Sequence, residues 1–101
     1  MNTIVLTEAF YYILLSLLQP QHGYGIMQQV EELTKGRVKI GPGTLYNLLS
    51  RFQEEKLIVE ISQEDRRRTY KITPKGLGVL QDEYNRLDQL LEDGRKILKG
   101  E

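Results

Sequence analysis

Gly41-Pro42-Gly43-Thr44-Leu45-Tyr46-Asn47-Leu48-Leu49-Ser50-Arg51-Phe52 is the segment on which the fold turns. Pro42 suits the first position of a helix, because the N–H it lacks would have no partner there. Leu45, Leu48, Leu49 and Phe52 then recur at helical steps and define an inward face. Thr44, Tyr46, Asn47, Ser50 and Arg51 are left outside. No acid occurs between Lys35 and Glu54, although an ordinary solvent-facing helix mixes Glu with Lys.

Upstream, Ile26, Met27, Val30 and Leu33 mark a helix from about Tyr24 to Thr34, stopped by Gly36. Gln21 to Gly25 reads as a turn. Before it, Thr7 is a fitting N-cap for a helix carrying Ala9, Phe10, Ile13, Leu14, Leu17 and Leu18, ended by Pro20. Its other faces hold Tyr11, Tyr12 and Leu15, so it needs cover on more than one side, and a second copy of the chain would supply it. Downstream, Leu57, Val59 and Ile61 alternate with Ile58, Glu60 and Ser62, and Tyr70 and Ile72 alternate with Thr69, Lys71 and Thr73. This period of two predicts a hairpin with Arg66, Arg67 and Arg68 at its tip and return edge, and it aims Tyr70 at the core. Thr73-Pro74 launches a last helix, along which Leu77, Leu80, Tyr84, Leu87, Leu91, Gly94 and Leu98 follow alternating steps of three and four. That is a heptad seam.

The order helix, helix, helix, hairpin, helix predicts an α+β, mostly α fold. It is a winged helix-turn-helix of three helices plus a β-hairpin wing, with a long C-terminal dimerisation helix. Residues 1–75 form the winged-helix domain and residues 76–101 the dimerisation helix.

Composition narrows the function. A chain of 101 residues supports one domain with a thin core, so a deep private cavity is not expected. With no Cys and one His, there is no disulfide framework, thiolate site or multi-His metal site. P-loop, GxGxxG and zinc-ligand spacings are missing, so neither an enzyme nor a cofactor is expected. Apolar runs are too short to span a membrane, and the expected location is the cytoplasm. The formal net charge is zero, but residues 1–34 carry −3, residues 35–75 carry +5 and residues 76–101 carry −2. A basic middle retains local potential for a polyanion despite the neutral sum.

Several stretches together resemble the PadR family of bacterial transcriptional regulators. They are His22-Gly23-Tyr24-Gly25-Ile26, then Gly43-Thr44-Leu45-Tyr46, then Glu54-Glu55-Lys56-Leu57-Ile58, then Arg68-Thr69-Tyr70-Lys71-Ile72-Thr73-Pro74. The resemblance is to the smaller subfamily with a single C-terminal helix. It implies a homodimeric repressor on a palindromic operator, relieved in some relatives by an aromatic or lipophilic effector. Two features depart from the pattern: Gln63-Glu64-Asp65 stands where many relatives have Gly at the wing tip, and the last helix has no Trp.

The expected DNA-contacting residues are Lys39, Gly43, Thr44, Tyr46, Asn47, Ser50, Arg51, Arg66, Arg67, Arg68 and Lys71. Hydroxyl, amide and guanidinium groups on a helix of groove-fitting width read base edges and phosphates. The alternative for the wing is that Glu64 and Asp65 neutralise the arginines. Tyr11, Tyr12 and Tyr84 are candidates for an effector cavity, against simple interface packing. Phe10, Leu14, Leu80, Tyr84, Leu87, Leu91 and Leu98 are expected at the dimer interface. His22 is read as a turn-capping residue, with a pH switch as its alternative. The rival function is a winged-helix protein-interaction module, whose mark would be exposed apolar residues on the wing or on the helix opened by Pro42.

Overall fold

The structure, a computed structural model, describes residues 7–64 and 66–100. Asp65, one of the acids weighed against the wing arginines, lies outside the described residues. The element order is α1 (Glu8–Ser16), β1 (Gln21–His22), α2 (Gly23–Leu33), α3 (Pro42–Glu54), β2 (Ile58–Glu64), β3 (Arg67–Ile72) and α4 (Pro74–Leu98). Four helices and a three-stranded antiparallel sheet in the order β1-β3-β2 make a mostly helical winged helix.

Local chemistry sets the boundaries. The Thr7 hydroxyl accepts from the Phe10 amide at 3.3 Å and starts α1. His22 Nδ1 accepts from the Gly25 amide at 3.2 Å and caps α2, as expected of a turn histidine. Thr73 Oγ1 accepts from the Gly76 amide at 3.0 Å and donates to the Lys56 carbonyl at 2.7 Å. That pair fixes the start of α4 against the end of α3. Both α2 and α3 end in Schellman motifs with a lysine, not a glycine, in the left-handed position: Lys35 at φ 54° and Lys56 at φ 62°. The stop of α2 therefore falls one residue before Gly36.

The core joins α1, α2 and α3 to the inner face of the sheet. Ile13, Leu14, Leu17, Ile26, Leu45, Leu49 and Phe52 are fully or almost fully buried, and Tyr70 and Leu80 join the same cluster. The Ile72 amide donates to the Leu17 carbonyl at 2.9 Å, tying β3 to the end of α1. Gly76 packs so closely on the strand entry that a Cβ there would strike the Leu57 carbonyl.

Three sequence expectations are corrected. First, Gln21 and His22 are not merely a turn: they pair with Tyr70 and Thr69 as a third strand. Second, the inward phase of β2 belongs to Ile58, 3% exposed, while Val59 and Ile61 stand 47% and 49% exposed. A bulge between Glu60 and Ser62 leaves Ile61 outside the pairing and shifts the register beyond it. Third, Leu14 and Leu80 cannot serve a dimer interface, because both are buried in the chain's own core. The first turns of α4 pack on α1, so the seam begins inside the protomer and emerges only further along.

That junction holds a buried carboxylate. Glu83 is 1% exposed, and Arg86 grips both of its oxygens, Nε to Oε1 at 2.8 Å and an η-nitrogen to Oε2 at 2.6 Å. The bidentate fork supplies the compensation a buried charge requires, and it raises the Arg86 pKa further. Beyond Glu83, the helix leaves the body. Tyr84, Leu87, Leu90, Leu91, Ile97 and Leu98 are between 37% and 85% exposed, and the molecule extends to 55 Å. Among the described residues no helix is long and apolar enough to cross a membrane.

Candidate nucleic-acid interface

The inward and outward faces of α3 divide as the sequence predicts. Leu45, Leu49 and Phe52 are buried, whereas Gly43, Thr44, Tyr46, Asn47, Ser50 and Arg51 are exposed. Gly41 caps α3 with no side-chain hydrogen bond, so the amides of its first turn have no partner in their own helix. Polar side chains, open amides and the absence of carboxylates from Pro42 to Gln53 give this end of the helix a donor-rich surface.

The wing meets that surface at a cleft of about 360 Å³. Arg66, Arg67 and Arg68 of the wing and Tyr46 of α3 line it. The floor is built from His22, Gly23 and Tyr24 at the start of α2, with Tyr70 behind. Gly23 makes the close approach possible: a Cβ at that position would lie 2.5 Å from the Tyr46 hydroxyl, which would have to shift. The hydroxyl end of the tyrosine thus lies close against the beginning of α2, and the residue is half exposed at the cleft. Tyr70 is 3% exposed and part of the core, as its strand phase predicts. Arg68, two residues before Tyr70 on the same strand face, clears the edge of the core and reaches the cleft.

The arginines divide into two groups. Arg37, Arg51, Arg86 and Arg95 each hold a carboxylate within 3.3 Å. Among the described residues no carboxylate pairs with Arg66, Arg67 or Arg68. Glu64 faces Arg67 across the strand pair without forming an ion pair, so it does not neutralise the triplet. Arg66 stands at the turn with φ 67°, a left-handed conformation that fits the tight reversal between Glu64 and Arg67.

The other predicted residues are dispersed. Arg51 lies over the Phe10 ring at 5.2 Å and donates through Nε to Glu55 at 2.9 Å, so its guanidinium is turned toward α1. Phe10 itself packs edge-on against Phe52 with ring centres 5.2 Å apart, and is largely occupied within the chain. Lys71 pairs with Val59 on the sheet face opposite Tyr70. Lys39 is exposed in the connector before α3, outside the cleft. Arg37, in the same connector, donates to the Tyr12 hydroxyl at 2.6 Å and to Glu8 at 3.3 Å, anchoring the connector to α1. Tyr11 and Tyr12 sit edge to face at 6.0 Å. Burial, with Tyr84, Glu83 and Tyr12 nearby, raises the Tyr11 pKa above its ordinary value.

His22, Gly23 and Tyr24 are the part of this surface that the helix-by-helix reading did not assign to it. The signal was present as two glycines bracketing Tyr24, which permit a close approach at the start of a helix.

The three-helix core, the basic wing and the long C-terminal helix define a winged helix-turn-helix protein. Residues 13–82 match the Transcriptional regulator PadR-like family, and the chain belongs to that family. Its members are regulators of transcription, not enzymes. The chain is 31% identical over 83 residues to the transcriptional regulator Rv3488 of Mycobacterium tuberculosis, covering 79% of this chain and 72% of that protein. Other curated relatives are much longer. The chain spans 34% of the Escherichia coli transcriptional regulator YqjI, at 28% identity, and 20% of a transposon-borne protein of Streptomyces fradiae, at 32% identity. A PadR-like transcriptional regulator of Bacillus cereus superposes with a TM-score of 0.75 at 28% identity, over 92% of this chain and 93% of that one. A Clostridium thermocellum transcriptional regulator gives 0.73 at 26% identity, over 91% and 97%.

Proposed function

We propose that this chain is a homodimeric, sequence-specific DNA-binding repressor. The observation that carries the reading is the convergence, on one side of the molecule, of the exposed polar face of α3 and three wing arginines that have no carboxylate partner among the described residues. Thr44, Asn47 and Ser50 reach base edges from a major groove about 12 Å wide. Arg66, Arg67 and Arg68, with the open amides of α3, take backbone phosphates. Lys39 and Lys71 add charge at the margins. Arg51 contributes only if it leaves Phe10 and Glu55.

Residues 76–101 supply dimerisation through Tyr84, Leu87, Leu91 and Leu98, the part of the seam that the chain's own core leaves open. A two-fold pair sets the reading heads about one turn of DNA apart, roughly 34 Å, which requires a palindromic operator. An effector lodged against Tyr11, Tyr12 and Tyr84 would relieve repression by binding differently to two dimer spacings.

The test is a mobility shift on DNA flanking the chain's own gene, with Asn47→Ala beside the parent. Loss of a bidentate base contact is expected to weaken operator binding by about 1–3 kcal/mol, with thermal stability unchanged. Equal loss of binding and fold would contradict the groove-facing assignment.

The protein-interaction reading has one observation in its favour. Val59 and Ile61 expose branched apolar side chains on the edge strand of the sheet. Val59 pairs with Lys71 and so lies on the face away from Tyr70 and the arginine cleft. A protein docking there would leave the DNA face free. A folded parent chain that shifts no DNA but binds a protein, with that binding lost on Val59→Ser, would favour this second reading.

A further inference from the structure

The cleft between wing and α3 has more room than a backbone phosphate requires. At about 360 Å³ it falls within the range of small-molecule sites, roughly 300–1,000 Å³. Its walls also differ in chemistry. Part of the lining is cationic, with Arg66, Arg67 and Arg68 free of carboxylate partners among the described residues. Part is aromatic: Tyr46 is 50% exposed and Tyr24 is 60% exposed, and both line the cleft.

The floor adds donors. His22 uses Nδ1 as the acceptor for the Gly25 amide, which leaves its proton on Nε2 as a donor. The Gly23 and Tyr24 amides, in the first turn of α2, have no partner within their helix. Guanidinium forks and open helix-terminal amides select phosphate oxygens. Exposed tyrosine rings select a flat base by stacking. In a duplex the bases are already stacked and paired, so backbone phosphates there use the cationic wall alone.

We propose that this cleft binds a free nucleoside phosphate, and that the nucleotide and the duplex exclude each other because both need the wing arginines. The exclusion rests on the DNA-binding function proposed above, whereas binding of the nucleotide does not. The ring lies against Tyr24 and Tyr46, and the phosphate lies among Arg66, Arg67 and Arg68 over the start of α2.

Calorimetry on the full chain at low salt, with AMP, GMP, adenosine and inorganic phosphate as probes, tests the binding without DNA. A nucleoside monophosphate is expected to bind at least tenfold more tightly than either adenosine or phosphate. Arg67→Ala with Arg68→Ala should weaken it at least tenfold. Tyr24→Ala, at an exposed position that the fold does not need, should weaken the nucleotide several-fold and leave phosphate unchanged. Lys99→Ala, at the far end of α4, should change nothing. No nucleotide binding by a folded chain, or phosphate binding as tight as the nucleotide, overturns the proposal. A second titration follows displacement of a labelled operator duplex by AMP. A duplex that binds and resists saturating nucleotide overturns the exclusion and leaves the DNA function intact. A duplex that never binds removes the DNA function, while the calorimetry still decides the site.

Discussion

The two ends of the molecule are both incomplete in a single chain, but in opposite chemical senses. Around the cleft beside the wing, the exposed groups are hydrogen-bonding side chains and arginines with no carboxylate partner among the described residues. Along the distal half of α4, the exposed groups are Leu87, Leu90, Leu91, Ile97 and Leu98, and the nearby Arg95 is already paired with Glu92 at 2.8 Å. Charge left unpaired on a surface signals an anionic partner, whereas apolar area left uncovered signals a protein one. The arginines of the two regions therefore teach more than their number: those on α4 are satisfied at short range along their own helix, and those on the wing meet no carboxylate among the described residues.

The largest effect should come from placing charge in the apolar region. Leu87→Asp with Leu91→Asp removes two leucines per chain from the proposed seam, at about 1.5–3 kcal/mol for each buried side chain. Doubled by symmetry, this exceeds what a small helical interface can lose. Light scattering should report the monomer mass, with operator affinity falling alongside. A dimer that persists would show that the exposed stripe on α4 is not the interface.

Next in size is the joint between the regions. Gly76→Ala directs a methyl group into the Leu57 carbonyl, a backbone atom that cannot swing aside. Overpacking of this kind costs about 1–3 kcal/mol, at the upper end where backbone must move. The denaturation midpoint should drop accordingly. Gly23→Ala is the contrasting case. Its methyl meets the end of the Tyr46 side chain, which can move, so the fold should survive while the cleft and DNA binding suffer. Equal destabilisation by both substitutions would remove this distinction between joint and cleft.

Third is the wing. Arg66→Ala, Arg67→Ala and Arg68→Ala together should flatten the dependence of log affinity on log salt by up to about 2.7 per protomer, at about 0.9 per phosphate contact. An unchanged slope would take the wing out of the phosphate contacts and leave the charge contrast between the two ends without functional meaning.

How far these regions could be read from sequence follows from the range of the interactions that build them. The face of α3 and the caps at Thr7, His22 and Thr73 depend on neighbours three or four residues away, and all were legible. β1 was not, because two residues carry no period and exist as strand only through Tyr70 and Thr69. The facing of β2 was not legible either, because both of its phases carry apolar residues: Ile58 is buried, and Val59, already before the bulge at Ile61, is exposed. The seam on α4 was correct as a pattern but not as an allocation. A heptad records which side is apolar, not whether the chain itself or a second copy covers it, so Leu80 went to the core and Leu87 to the surface. The freedom of the wing arginines was also beyond reach. Glu64 lies close in sequence, and only the register that sets it opposite Arg67 without an ion pair shows that it leaves that arginine unpaired; Asp65 lies outside the described residues.

The smallest effect lies where α1 meets α4 and tests whether a second copy closes on that side. Tyr11 has a raised pKa, chiefly through burial and then through Tyr84 and Glu83. A raised value means that the folded state holds the phenolic proton more firmly than the unfolded chain does. The resulting stability is complete below the ordinary tyrosine value of about 10 and is lost as pH rises through the higher folded value. Denaturation midpoints of the parent should therefore fall more steeply from pH 9.5 upward, on the order of the tyrosine range, than those of Tyr11→Phe, and the two should coincide at neutral pH. Tyr84, 56% exposed, is a neighbour that a partner helix on α4 would cover, and covering it would deepen the burial of Tyr11. Tyrosinate absorbance should accordingly titrate at higher pH in the dimer than in the Leu87→Asp, Leu91→Asp monomer. Identical titrations would mean that pairing leaves this side open, and the apolar region would then be confined to the outer half of α4.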